Sequence, residues 1–264
     1  DAIKHLAALK NRPKIHLKID TGMHRQGFFI KDLPEVIKSL KKYNLRPEGI
    51  YTHLAAAKNR LYPSVSLKQL EIFKKADELL KKSGFTEYLR HAAASAGTIL
   101  YPEAHFDMVR IGIGFYGMYP SKELAVQTDI KLKPALVWKS IISEIKNVSE
   151  GAYIGYDLTE KTSKASKLAV VPIGYWHGFD RGLSNCGEVL VNSRKCKVLG
   201  RVSMDMIVID VTGVPNVKVN DDVIILGGSG KEKITAEDMA LKIGTTNNEI
   251  VTRINPLIRR FYIE

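Results

Sequence analysis

The first 120 residues alternate between short apolar runs and longer amphipathic segments. Ile15, Leu17 and Ile19 alternate with polar residues at the period of two that is typical of a strand. Residues 31–43 instead repeat apolar side chains at helical spacing, at Leu33, Val36, Ile37 and Leu40. The chain therefore begins with a pattern of strand followed by helix.

The same alternation continues along this part of the chain. It predicts further strands at 49–54, 87–93 and 106–111, and further helices at 1–9, at 64–82 and near Ser95. The apolar face of the helix at 64–82 is predicted to run through Val65, Leu67, Leu70, Phe73, Ala76 and Leu80. Strands that alternate with helices indicate right-handed βαβ units and a parallel sheet.

From about Pro134 the pattern changes to short β-rich runs separated by Gly, Asn and Ser. These runs are 135–145, 168–173, 188–191, 195–202, 206–211 and 223–226, with a hairpin turn at 191–196. One late helix begins at Thr235, which has capping-box spacing to Asp238. We therefore predict an α/β domain at 1–130 and a mainly antiparallel β-domain at 131–264.

Composition is that of a globular protein, because 264 residues with 45% hydrophobic content can bury a large core. The net charge of +12 could indicate nucleic-acid binding. However, the lysines of the helix at 64–82 alternate with Glu71, Asp77 and Glu78, which is typical of an ordinary solvated face. We therefore expect no nucleic-acid partner.

No apolar run reaches the roughly 18 residues of a membrane span, and the start has no signal-peptide pattern. A cytoplasmic location is the resulting expectation. Cys186 and Cys196 lack partners with disulfide-framework or metal-ligand spacing, so we predict free thiols and no metal site.

Polar residues collect where the predicted strands end. Lys18, Asp20, His24 and Arg25 follow the first strand closely, and His53, Ser95 and Arg110 lie near the later ones. This is the arrangement of a (β/α)8 barrel, whose active site lies at the carboxyl ends of the strands. Only about four βα units are visible, so the pattern fits either a truncated barrel or a smaller open sheet.

The segment from Lys18 to Gly27 resembles the K-x-D-T-G-M-x-R-x-G signature of the alanine racemases. That family uses pyridoxal 5'-phosphate (PLP) bound in a barrel, and about a third of its chain precedes the signature. The resemblance therefore favours an N-terminally truncated (β/α)8 PLP-binding barrel followed by a β-domain. It also implies that Arg25 contacts cofactor and substrate, that Lys18 is a position often carbamylated, and that the protein is a homodimer with shared active sites.

A second motif is the sequence from Arg110 to Gly117, which contains a formal G-x-G-x-x-G. A dinucleotide site requires a long helix directly after the glycines, whereas Met-Tyr-Pro follows here. A strand end whose amides approach a phosphate is the better interpretation. The family's R-x-G-I motif matches Arg110, Gly112 and Ile113, and implies that the arginine contacts the pyridine nitrogen and the amides contact the phosphate.

Ser95 and His53 complete the predicted cofactor site. Residues 91–96 resemble the family's H-x-A-N-S-A, which implies that Ser95 binds phosphate, with Ala94 in place of asparagine. Ser95 could instead be a helix N-cap, and a lone strand histidine is often structural. The resemblance places His53 beside the cofactor ring, between Arg110 and a catalytic tyrosine.

That tyrosine is Tyr156, because residues 154–159 resemble the family's V-G-Y-G-x-T. Asp157 replaces a glycine, and its negative charge is expected to oppose deprotonation of the phenol, whose ordinary pKa is about 10. Tyr153 is a nearby alternative that the alignment does not select. In the family, this tyrosine reaches the partner subunit's active site.

Two further motifs fall in the β-domain. Residues 171–181 resemble P-I-G-Y-x-D-G-x-x-R, with His177 in place of aspartate, and residues 200–205 resemble G-R-V-C-M-D. The resemblance implies that Met204 and Asp205 bind substrate through their backbones. It also implies that the active-site entrance is formed by Tyr175, Arg181 and Arg201. A buried methionine and a turn aspartate in a β-domain would look the same.

Two features of the family are missing from these residues. The K-A-N-A-Y-G-H-G motif with the Schiff-base lysine does not occur, and Asn248 stands where a phosphate-binding tyrosine is expected. The leading hypothesis is an alanine racemase that uses two bases and supplies D-alanine for peptidoglycan. The alternatives are an inactive or regulatory PLP-barrel relative, a racemase of another small amino acid and, more remotely, a dinucleotide oxidoreductase.

Overall fold

In the computed structural model, which describes residues 2–58, 61 and 63–263, the chain divides into two units at residues 133 and 134. The first unit contains three parallel strands in the order β1-β2-β3. These strands are β1 (His16–Lys18), β2 (Gly49–Tyr51) and β3 (Leu89–His91). The helices are α1 (Ala2–Ala8), α2 (Leu33–Lys42), α3 (Pro63–Lys82), α4 (Ser95–Leu100) and α5 (Lys122–Ala125). The predicted parallel α/β fold is confirmed, and Asp1 of the first predicted helix lies outside the described residues.

The core of the first unit forms between the parallel sheet and helices α2 and α3. All four residues predicted for the apolar face of α2 are buried. In α3, Leu70, Phe73, Ala76 and Leu80 are buried as predicted, but Val65 and Leu67 are exposed. Ser66 and Gln69 occupy the buried positions instead, and each lies four residues before a core residue, Leu70 or Phe73.

The sequence pattern indicated that Asp77 belongs to a solvated face. In the structure, it does not. It is 8% exposed and accepts a hydrogen bond from the Tyr88 hydroxyl at 2.7 Å. Lys81 and Arg90 lie 2.8 and 3.6 Å from the same carboxylate, so its charge is paired. The lysine-rich pattern of the helix conceals this buried acidic position.

The predicted strand at 106–111 is wrong. Only one isolated bridge remains, between Ala94 and Arg110. Phe106 has a φ of 48°, and the Asp107 carboxylate accepts the Arg90 amide at 2.8 Å. A side chain therefore takes the amide that a continued strand ladder would have used.

The second unit is dominated by one antiparallel sheet. Its strands are β4 (Trp138–Ile141), β5 (Glu144–Val148), β6 (Tyr153–Ile154), β7 (Glu160–Lys161), β8 (Ser166–Val171), β9 (Glu188–Val191), β10 (Arg194–Leu199), β11 (Ile207–Asp210), β12 (Asp222–Ser229) and β13 (Glu232–Ile234). The large sheet has the order β13-β12-β9-β10-β11-β8-β5, β4 also pairs with β12, and β6 pairs with β7. The predicted mainly antiparallel fold is confirmed.

Some local predictions in this unit are confirmed, and several short elements were missed. The hairpin at 191–196 is confirmed, with Asn192 and Ser193 both at positive φ, and Thr235 caps helix α6 (Ala236–Ile243) reciprocally with Asp238. The predicted single run at 135–145 is two strands, and β6, β7, β13 and helix α7 (Asn247–Thr252) were not predicted. All four missed elements are six residues or shorter, too short to show a clear period.

No helix in the described part of the chain is long and apolar enough to cross a membrane. Both cysteines are free thiols, as predicted, and burial raises the pKa of Cys196 to about 11.

Candidate active site

The segment after β1 is held in shape by Asp20. Its buried carboxylate accepts the amides of Gly22, Met23 and His24 at 3.0 to 3.1 Å. Burial by itself raises the pKa of Asp20, but the amide of His24 and its neighbours lower it, and the net pKa lies below the ordinary value. Asp20 therefore shapes the loop that carries Arg25.

The Arg110 guanidinium contacts two histidines and two backbone carbonyls. Its Nη1 donates to His91 Nδ1 at 2.8 Å, and its Nη2 donates to the carbonyls of Thr52 and Ala92 at 2.8 and 3.2 Å. Its Nη2 also lies 3.3 Å from Nδ1 of His53. Burial lowers the pKa of Arg110, although a guanidinium remains protonated at any physiological pH.

His53 lies where several positive charges converge. Its pKa is lowered first by burial and then by the charges of Arg110, Arg25 and Lys18. Lys18 and Arg110 both lie against the Tyr51 ring, with Nζ and Cζ at 5.6 and 5.2 Å from the ring centroid. The structure thus brings together three predicted cations, Lys18, Arg25 and Arg110, around His53.

The Ser95 hydroxyl joins this region to the glycine-rich segment. Its Oγ accepts the amides of Gly112 and Gly114 at 3.0 and 3.2 Å, while Ala94 occupies the N-cap position of α4. The N-cap interpretation of Ser95 is therefore wrong. The glycines do not follow a strand either, since residues Ile113–Tyr116 form a short 3-10 helix with Ile113 buried.

Gln69 was missed by the sequence reasoning. It is 3% exposed on α3, and its Nε2 donates to Thr21 Oγ1 at 3.0 Å and to the His53 carbonyl at 3.2 Å. Its Oε1 accepts the Ala55 amide at 2.8 Å. The available signal was a polar residue at a core position of the helix.

His91 and His16 were also left out of the predicted site. His91 is buried between Arg110 and His16, and its ring stacks on Tyr51 with centroids 5.0 Å apart. Its pKa is lowered to about 4 by burial, by Arg110 and by His16. Alternation along β1 gave no reason to single out His16, because its importance depends on pairing across the sheet.

In the second unit, Tyr156 begins a 3-10 turn, Tyr156–Leu158, and is 67% exposed. Asp157 and Leu158 have positive φ values of 59° and 49°. The Asp157 carboxylate lies 3.1 Å from Arg201 Nε. The negative charge expected to oppose phenol deprotonation is therefore paired, which weakens that expectation.

The two motifs of the β-domain contact each other directly. Tyr175 and Trp176 donate their amides to the carbonyls of Ser203 and Met204 at 3.0 and 2.9 Å. A Cβ on Gly174 would lie 2.3 Å from the Ser203 carbonyl, so only glycine fits there. Met204 and Asp205 are thereby presented on an exposed bend.

His177, which stands in place of an aspartate, accepts the Gly174 amide through Nδ1 at 3.1 Å. Tyr175 and Arg181 share a cavity of about 460 Å³ with Gly178, Asp180 and Arg253. Arg253 forms an ion pair with Asp180. It was not predicted as a site residue, because it is the C-cap of helix α7, which was itself missed. Within the described ranges, no cluster of His, Cys, Asp or Glu is arranged to hold a metal.

A parallel α/β unit with a hydrogen-bonded arginine–histidine cluster, followed by an antiparallel β unit, defines this chain as a barrel-type α/β protein with a β-domain. Comparison with known proteins supports a narrower assignment. Residues 1–120 match the model of the alanine racemase N-terminal domain, and residues 135–262 match that of the alanine racemase C-terminal domain.

Individual relatives agree with this assignment. Alanine racemase of Leptospira interrogans is 42% identical over 98% of this chain and 68% of its own, and that of Methanococcus maripaludis is 41% identical over 97% and 68%. The crystal structure of alanine racemase from Bacillus anthracis with bound L-Ala-P is 35% identical, with a TM-score of 0.87 over 96% of this chain and 66% of that one. Alanine racemase from Streptomyces coelicolor gives a TM-score of 0.90 at 31% identity, over 97% and 68%.

The chain belongs to the alanine racemase family. It spans about two thirds of the length of the relatives it matches.

Proposed function

We propose that the protein is an alanine racemase that interconverts L-alanine and D-alanine with PLP as cofactor. The observation that carries the proposal is the half-buried Arg110 beside His53 and His91, both with lowered pKa values, next to the amides of Gly112 and Gly114. Relatives named alanine racemase, similar over nearly the whole of this chain, support it. The D-alanine would be made in the cytoplasm and used for peptidoglycan.

The residues fit a cofactor that carries an acceptor nitrogen and a phosphate. Within the described residues, Arg110 Nε has no hydrogen-bond partner, so it is available to donate to a ring nitrogen. The two amides that donate to Ser95 Oγ can donate to a bound anion instead. When bound, PLP supplies an electron sink that acidifies the α-proton of an amino acid.

Seven residues of the first unit would hold the cofactor: Lys18, Arg25, His53, Ser95, Arg110, Gly112 and Ile113. Arg110 would donate a hydrogen bond to the ring nitrogen without giving up its proton, which keeps the electron sink shallow and suits simple proton exchange. Lys18, if carbamylated, would give Arg25 an anionic partner.

Tyr156 would be the base on one face of the substrate. Because an ordinary phenol has a pKa of about 10, the proposal requires cationic neighbours or a proton relay in the assembled site. Met204 and Asp205 would bind the substrate with Arg25, and Tyr175, Arg181 and Arg201 would form the entrance. A homodimer in which each subunit contributes Tyr156 to its partner is part of the same proposal.

A second candidate is an inactive or regulatory relative. It is favoured by Ala94 and Asn248, which stand where the family has cofactor-contacting side chains, and Asn248 is exposed on α7. A racemase of another small amino acid is the remaining alternative. Assay of the full-length gene product with L-alanine, D-alanine and other small amino acids separates these readings.

The decisive variant is Tyr156→Phe in the full-length gene product. If Tyr156 is a base, racemisation falls by roughly 10² to 10⁴. In deuterated water, the variant should still exchange the α-proton of D-alanine while hardly converting it. Tyr153→Phe is a matched control, because Tyr153 is three residues away and similarly exposed, and it should retain activity. A mild loss of about tenfold or less, equal for both enantiomers, would show that Tyr156 only packs.

A further inference from the structure

A continuous line of hydrogen bonds leads from Arg110 to the surface of the first unit. Arg110 Nη1 lies 2.8 Å from His91 Nδ1, and His91 Nε2 lies 2.7 Å from His16 Nδ1. His91 is buried, whereas His16 is exposed. The line therefore connects the central cation of the candidate site to a side chain that none of the motifs includes.

The chemistry of the three groups determines where each proton lies. A guanidinium can only donate, so His91 Nδ1 must accept and carries no hydrogen. The hydrogen of neutral His91 is then on Nε2, which donates to His16. His16 Nδ1 must accept in turn, so its own hydrogen is on Nε2. The bond from Arg110 and the bond to His16 thus favour the same tautomer of His91, and each supports the other.

The backbone is built to let His16 reach this position. His16 on β1 pairs with Gly49 on β2, and His91 lies on β3, so the His16 ring has to cross the middle strand. A Cβ on Gly49 would lie 2.3 Å from Nδ1 of His16 and 2.8 Å from its Cγ. Any other residue at position 49 would displace the ring. Tyr51, the next β2 residue on the same face, stacks on His91 with an interplanar angle of 1°.

We propose that His16 is a positioning residue that holds His91 in its Nε2–H tautomer and, through His91, fixes the rotation of the Arg110 guanidinium. Without an acceptor at His16, His91 can turn or change tautomer, and its Nδ1–H would then oppose the Arg110 donor. Arg110 would lose its Nη1 bond and the alignment of its free Nε. The catalytic part of this proposal rests on the proposed function, while the tautomer assignment does not.

The test compares three variants of the full-length gene product. His16→Leu removes the acceptor, and His16→Asn places an amide oxygen close to the position of Nδ1. Gly49→Ala keeps histidine at position 16 but adds a methyl group that displaces the His16 ring. His105→Leu is the control, because His105 binds the Thr98 carbonyl at 2.8 Å and has no contact with this line. Each protein is labelled with ¹⁵N-histidine, and the His91 ring nitrogens are observed by NMR at neutral pH.

The wild type and the control should show one His91 tautomer, with hydrogen on Nε2. His16→Leu and Gly49→Ala should lose that signature, and racemisation kcat should fall about two- to tenfold, the effect of one hydrogen bond, with KM nearly unchanged. His16→Asn should restore both. Should His16→Leu fail to fold, Gly49→Ala carries the same comparison.

The proposal is overturned if wild-type His91 carries its hydrogen on Nδ1, or if its signature is unchanged in His16→Leu and Gly49→Ala. An inactive wild type would refute the proposed function alone, since the NMR comparison would still decide the tautomer assignment. An altered signature with unchanged kcat would refute the positioning role.

Discussion

Replacing Ser95 with alanine tests the connection between α4 and the glycine-rich segment. Ser95 is 6% exposed, and its Oγ is the acceptor for the amides of both Gly112 and Gly114. The substitution removes two hydrogen bonds and no backbone contact. It also leaves the cap of α4 intact, because the N-cap is Ala94.

The magnitude follows from the exposure of the two amides. A hydrogen bond contributes about 1 kcal/mol net, and a donor left buried without a partner costs about 1 to 3 kcal/mol. Gly112 is exposed and Gly114 half-buried, so water can replace part of the loss. We therefore expect the free energy of unfolding of the first unit to fall by about 2 kcal/mol. For a protein of this size, that is a decrease in Tm of roughly 4 to 8 °C.

Thermal unfolding of the full-length protein, with and without inorganic phosphate, measures this effect. An anion that accepts the two amides should recover part of the loss, so phosphate should raise the Tm of Ser95→Ala more than that of the wild type. Ser143→Ala is the control, because Ser143 is exposed and only donates to the Val170 carbonyl. A Tm within 1 °C or so of the wild type, or an equal response to phosphate, would refute the reasoning.

Three further predictions concern stability. Gly174→Ala should unfold the second unit or lower its unfolding free energy by more than about 3 kcal/mol, because the added Cβ would lie 2.3 Å from the Ser203 carbonyl. Thermal melts followed by circular dichroism measure this, and a near-native melt would contradict it. Asp157→Gly should change the urea unfolding midpoint very little. Glycine relieves the positive φ, which stabilises by about 1 kcal/mol, and the lost exposed ion pair with Arg201 is worth 0 to about 1 kcal/mol. A large shift of the midpoint in either direction would contradict this balance. His91 has a folded pKa of about 4 against about 6.5 unfolded, so below pH 6.5 the unfolded chain binds more protons, and stability should decline as the pH falls from 6.5 towards 4. His91→Gln should lessen that decline in urea titrations across this range, and an unchanged slope would contradict the prediction.

Local sequence determined much of this protein. The buried face of α2 and the Thr235–Asp238 capping box were predictable because helix periodicity and capping depend on residues within four positions of each other. The hairpin at 191–196 was predictable for the same reason. The order of the motifs identified the family resemblance without any knowledge of their geometry.

Tertiary structure decided what depends on residues far apart in the chain. The sequence could not show that Asp107 would take the Arg90 amide and end the predicted strand at 106–111. Nor could it show that Ser95 Oγ would bind two amides rather than cap its helix. These choices follow from which polar groups meet when the chain packs, and each buried group must then find a partner.

The line from His16 to Arg110 is the clearest case. Its members are separated by 75 and 19 residues, and it exists only because Gly49 leaves room above the middle strand of the sheet. Periodicity places His16 on a strand and nothing more. The parallel register brings it to His91, whose ring then lies between Arg110, which can only donate, and His16.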